Sequence, residues 1–142
     1  MAESQQNSAN NTNLDPTLNP TNIYFLHPTD VGLRLIVDPF NGSEYADWRR
    51  GLLLALTAKN KIGFKDGSVT KPSAETVEYK AWDRVNSTII GWMLASLEKS
   101  ISKTFLSVKT ARELWVEIAN RYGQSSCSRF FSLQEEVNNL SQ

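Results

Sequence analysis

Trp82-Asp83-Arg84-Val85-Asn86-Ser87-Thr88-Ile89-Ile90-Gly91-Trp92-Met93-Leu94-Ala95 is the stretch that decides the fold. Trp82, Val85, Ile89, Trp92 and Met93 recur at three- and four-residue steps, the period of one face of an α-helix. The second half, from Ile89 on, is apolar nearly all round, which argues for a central helix contacted on several sides. Pro72-Ser73 opens this helix, because proline suits a first turn.

The helices on either side have the same character. Tyr45, Trp48, Leu52, Ala55 and Leu56 define one buried face. Asn41 and Glu44 stand three apart, the spacing of a reciprocal capping box, so the helix is predicted to begin near Asn41. It is predicted to fray by Lys61, with Gly63 as its stop signal. A loop follows, in which Asp66-Gly67 suits a turn needing positive φ. Residues 101–108 read as a short helical turn. Thr110 and Glu113 make a second capping box that launches Leu114, Trp115, Ile118 and Tyr122 along one face, before Gly123 ends it. After the polar break at Gln124-Ser125-Ser126, the residues Phe130, Leu133, Val137 and Leu140 recur at 3-4-3 spacing, a narrow helix–helix seam.

N-terminal to these helices the pattern changes. Leu33-Arg34-Leu35-Ile36-Val37 is too short and too β-branched for a helix, and reads as an extended strap or short strand lying across the helices. Residues 1–21 are rich in Asn, Gln, Ser and Thr; they bury too little to offset ordering entropy, which predicts a disordered polar tail. The expected architecture is therefore all-α: a compact bundle of four to five helices with an extended N-terminal strap.

Composition narrows the function. Fifteen Lys and Arg balance fifteen Asp and Glu, so no global field draws the chain to nucleic acid or anionic membrane. The longest apolar run, Ile89 to Ala95, is far short of a bilayer span, and residues 1–22 lack the apolar core of a secretory signal. A cytoplasmic location is expected.

Chemistry is hard to place on these residues. His27 is the sole histidine and Cys127 the sole cysteine. Neither has the partners a metal site or a nucleophile–base pair needs. His27 reads as a packed or capping imidazole in the strap, Cys127 as an inert thiol. The seven glycines form no phosphate-cradling motif. No catalytic, cofactor-binding or metal-ligating residue is expected, nor a small-molecule substrate. A basic patch of Arg49, Arg50, Lys59, Lys61, Lys65 and Lys71 offers weak RNA contact. The bland reading of the same patch is that Lys59 and Lys61 complement the negative end of the first helix. The four tryptophans fall on or within apolar helical faces and read as core, not as base-stacking platforms.

An ordered series of words along the chain says more. Asn22-Ile23-Tyr24-Phe25-Leu26-His27-Pro28-Thr29-Asp30 resembles the opening of the N-terminal Gag region of plant copia-type retrotransposons. Pro39 to Trp48 and Lys59-Asn60-Lys61-Ile62-Gly63-Phe64-Lys65-Asp66-Gly67-Ser68 are similar to its next two elements. Trp82 to Ser87, Ile90 to Met93 and Thr110 to Gln124 resemble the later ones, as does Phe131 to Glu136.

The resemblance implies a Gag-like N-terminal capsid lobe over residues 22–123. It makes residues 124–142 the start of a truncated following helix or second lobe. It also implies a structural module, not an enzyme, that assembles particles by self-association with copies of itself or longer Gag chains. Phe130, Leu133, Val137 and Leu140 are the expected self-association seam. The Cys/His knuckle that holds element RNA is missing, so the chain reads as a truncated or remnant copy. The alternatives are a host-domesticated adaptor that binds a peptide, and a weak nucleic-acid-binding module.

Overall fold

The computed structural model describes residues 15–123. Five α-helices follow one another: α1 (Tyr45–Ala58), α2 (Gly63–Asp66), α3 (Val77–Ala95), α4 (Lys99–Ser102) and α5 (Ala111–Ile118). A 3-10 turn (Lys103–Phe105) extends α4, and a π-helical turn (Ala119–Gly123) extends α5. The chain is all-α, with no strand among the described residues.

The core forms where the apolar stripes meet. Leu52 and Leu56 of α1, Val85, Ile89, Trp92 and Met93 of α3, and Leu114 and Ile118 of α5 are all sealed from solvent. Each such side chain contributes about 1.5–3 kcal/mol on burial. All four tryptophans join this core, so the expectation of buried indoles holds. Trp48 stacks on Trp115 at 5.9 Å and donates its Nε1–H to Ser96 Oγ at 3.0 Å, locking α1 to α5 and to the end of α3.

The first half of the chain departs from its predicted helix ends. Helix α1 starts at Tyr45, not near Asn41. The Asn41 carboxamide oxygen instead accepts from the amide and hydroxyl of Ser43, a local turn that competes with capping. Glu44 takes the N-cap position in the left-handed region (φ 59°, ψ 47°), and no side chain caps this end.

The other end of α1 closes on Asn60 (φ 57°), before Gly63 is reached. The Asn60 amide donates to Thr57 O at 3.0 Å and the Lys61 amide to Leu56 O at 2.8 Å. That is the paired arrangement in which a left-handed residue satisfies the last carbonyls. Gly63 serves a different need: a Cβ there would come within 2.8 Å of Ser68 Oγ and Val69 Cγ2. The Phe64–Asp66 stretch is a helical turn instead of a loop, and it buries Phe64. Gly67 does adopt the positive φ (81°) expected of the Asp66-Gly67 pair.

Helix α3 begins at Val77, later than Pro72-Ser73 suggests; residues 71–73 are non-helical and a turn precedes the helix. Thr110 caps α5 as predicted, its hydroxyl accepting from the Glu113 amide at 3.0 Å. The return arm differs: the Glu113 carboxylate accepts from the Lys109 amide at 3.1 Å, one residue earlier than the box requires.

The strap is coil with turns. Residues 33–37 make no ladder, because no neighbouring strand is there to pair with them. Only Phe40 pairs, as an isolated parallel bridge to Leu97, through Phe40 N to Ser96 O (2.8 Å) and Glu98 N to Phe40 O (3.0 Å). Residues 15–21, placed in the polar tail by composition, include a 3-10 turn (Pro16–Leu18) begun by the Asp15 carboxylate, which accepts from the Thr17 amide. Thr17 is buried there and its carbonyl accepts from the Leu26 amide. The rest of the tail, Cys127 and the seam of Phe130, Leu133, Val137 and Leu140 lie outside the described residues.

Candidate functional site

Asp30 is the polar centre of the strap. It is 3% exposed. Its carboxylate accepts from Lys59 Nζ at 2.8 Å and from the His27 amide at 2.8 Å, while its carbonyl accepts from Trp92 Nε1 at 2.8 Å. The strap is thus tied at one residue to the end of α1 and the last turn of α3. Burial alone would raise the Asp30 carboxyl, but the Lys59 and His27 hydrogen bonds and the Lys59 charge hold it below the usual carboxylate range. His27 caps the same turn from outside: it is exposed, and Nδ1 accepts from the Thr29 amide at 3.2 Å.

The six basic residues do not share one face. Lys59 is spent on Asp30. Lys61 is only 2% exposed, and its ammonium donates to the Lys59 carbonyl at 3.3 Å, at the negative end of α1. Burial lowers the Lys61 amine from its ordinary value, with Asp30 opposing that shift and Lys59 adding to it. Arg49 and Lys65 lie over the Trp115 ring at 5.8 Å and 5.3 Å. Both approach distances suit a cation on an aromatic face. Arg112 joins this flank by donating to the Asp66 carbonyl. Arg50 projects from α1 into solvent. Lys71 lies apart from Trp115, over Tyr79 and Trp82.

Three open grooves mark the surface. The first, about 440 Å³, runs between the strap and the start of α1. Phe40 and Trp48 form its floor, Leu35, Ile36 and Gly51 its wall, and Asp38, Glu44 and Asp47 its rim. No basic residue lines it. None of the three carboxylates has an ion-pair partner among the described residues. Val37, next to it in sequence, is 88% exposed. A second groove, about 400 Å³, lies between Val31–Leu33 and the solvent side of α3. A third, about 450 Å³, is lined by Phe64, Trp82, Lys71 and Arg112. Beside it Trp82 Nε1 is buried without a hydrogen-bond partner.

Among the described residues, no cluster of three or more His, Cys, Asp or Glu could hold a metal ion, and no helix is long and apolar enough to cross a membrane. Sequence reading passed over the acidic groove. Its signal was the Asp47/Gly51 pair, one turn apart on α1, where a glycine leaves room beside a carboxylate.

Residues 27–73 match the family model for the Gag-polypeptide of LTR copia-type. The match runs from His27 through the strap, α1 and α2, and so contains the Asp30 tie and the acidic groove. No curated protein and no solved structure matches the chain. Over that span the resemblance to copia-type Gag holds, and it supports a Gag-like structural role.

Proposed function

We propose that this chain, similar to copia-type Gag over residues 27–73, is a structural capsid-type module that acts by self-association and catalyses nothing. The family match is the observation that carries the reading. The helical lobe with its folded core agrees with it. The partners are copies of the same chain or longer Gag chains, and the seam of Phe130, Leu133, Val137 and Leu140 is a pairing surface of the right spacing. We place its action in the cytoplasm.

Light scattering of the 142-residue chain over a wide concentration range tests this, alone and mixed with a longer Gag chain. Mass should rise with concentration. A chain that stays monomeric throughout and leaves the longer chain's assembly untouched would sink the proposal and favour the adaptor reading. Weak RNA contact through Arg49, Arg50 and Lys65 is the subsidiary reading. It calls for binding that falls steeply with salt.

A further inference from the structure

We propose that the acidic groove is the seat for the basic flank of a second copy of this chain, in a head-to-tail contact. The inference rests on the self-association reading above and assigns it two surfaces.

The groove has what a docking seat needs. Its floor is aromatic, its wall apolar, and its rim carries three carboxylates that no cation among the described residues neutralises. An apolar groove with one sign of charge around it selects a partner that brings apolar surface and the opposite charge. The chain carries such a surface itself. Arg49, Lys65 and Arg112 gather around Trp115 and the end of α2. Val116, one helical turn beyond Arg112 on α5, is 41% exposed among them. The nearby Asp66 carboxylate is occupied locally, accepting from the Ser68 amide.

A chain of zero net charge that segregates its charges in this way is complementary to itself without being repelled by itself. One molecule cannot satisfy both surfaces internally. Asp47 and Gly51 face the groove from α1, while Arg49, two residues from Asp47, lies on the opposite flank of the same helix over Trp115. A groove meeting a different surface on its neighbour is a heterologous contact. Repeated, it closes into a ring or continues as an open array, as a shell-forming module requires.

Charge exchange on the full chain tests the pairing. A groove variant carries Asp38→Lys and Asp47→Lys, leaving the strained backbone at Glu44 untouched. A flank variant carries Arg49→Glu and Lys65→Glu. Sedimentation velocity is run on each alone and on an equimolar mixture, with thermal melts to verify folding. The parent should self-associate, and more weakly at high salt. Each variant alone should associate at least about tenfold more weakly. The mixture should recover, because every groove then meets a flank of opposite sign.

Parental association in both variants, or a mixture no better than its components, overturns the contact while leaving self-association standing. Loss in the groove variant alone assigns the groove to some other basic segment and equally overturns it. A parent that never associates removes both this inference and the reading beneath it.

Discussion

Replacing Asp30 with Asn tests how the strap is held. The substitution keeps the shape and the carbonyl that accepts from Trp92, but it removes the charge that Lys59 pairs with and one of two acceptor oxygens. Breaking one side of a buried ion pair costs about 3–5 kcal/mol. The Lys59 side chain is 34% exposed, so solvent screens part of that interaction. The expected loss is about 2 kcal/mol, or a fall of roughly 6–12 °C in melting temperature for a domain of this size.

The pH dependence is more telling than the loss itself. The folded Asp30 carboxyl titrates below its unfolded value despite the opposing effect of burial. Its stabilisation is therefore fully present above about pH 4, the unfolded value, and is lost as pH falls through the lower folded one. Denaturant melts of parent and Asp30→Asn at pH 7 should differ by the stated amount, and the gap should narrow as pH falls below about 4. Adding Lys59→Met to both backgrounds should show that most of the loss is shared between the two residues. Equal midpoints at pH 7, or a gap unchanged down to pH 2, would refute the idea that the carboxylate anchors the strap.

Three further outcomes are expected. Trp92→Phe should cost about 1–3 kcal/mol more than Trp82→Phe, because the first orphans the Asp30 carbonyl while the second removes an indole N–H that has no partner; paired chemical melts decide it. Lys61→Met should raise the midpoint, since it replaces a buried, desolvated ammonium with an apolar chain of similar length; a lower midpoint would show that the Lys59 carbonyl needs that donor. Thr110→Ala should cost about 1 kcal/mol. Asn41→Ala should leave the helicity of α1 unchanged by circular dichroism, since Asn41 caps no helix.

The helical stripes were legible because periodicity reports burial directly. Every residue of the Trp82, Val85, Ile89, Trp92 and Met93 face is in the core. Helix ends were less so, because polar residues have several local partners to choose from. Asn41 took Ser43 instead of the helix, and Asn60 entered the left-handed region before Gly63 could. The strap was visible as something other than helix, but its form depends on ties more than fifty residues away. Phe40 reaches Ser96 and Asp30 reaches Trp92. The basic patch shows the same limit. Lys59, Lys61 and Lys65 are close in sequence, yet one pairs with Asp30, one is buried and one lies over Trp115.

Several of the long-range ties join a side chain on one end to main chain on the other. Trp92 donates to the Asp30 carbonyl, and Asn86 holds both the Lys109 carbonyl at 2.9 Å and the Ala111 amide at 2.8 Å. The bridge between Phe40 and the end of α3 is main chain on both sides. A main-chain acceptor survives any change of the residue that bears it. Mutation at Lys109 therefore leaves its tie intact, and mutation at Asp30 spares the indole tie even as it breaks the ion pair. Mutation at Asn86 or Trp92 cuts every strand of the knot it holds. Long-term sequence drift should consequently be uneven: wide latitude on the main-chain side of each tie, and almost none on the side chain that reaches it. A lobe wired this way can change most of its surface, and with it its partners, without changing its shape.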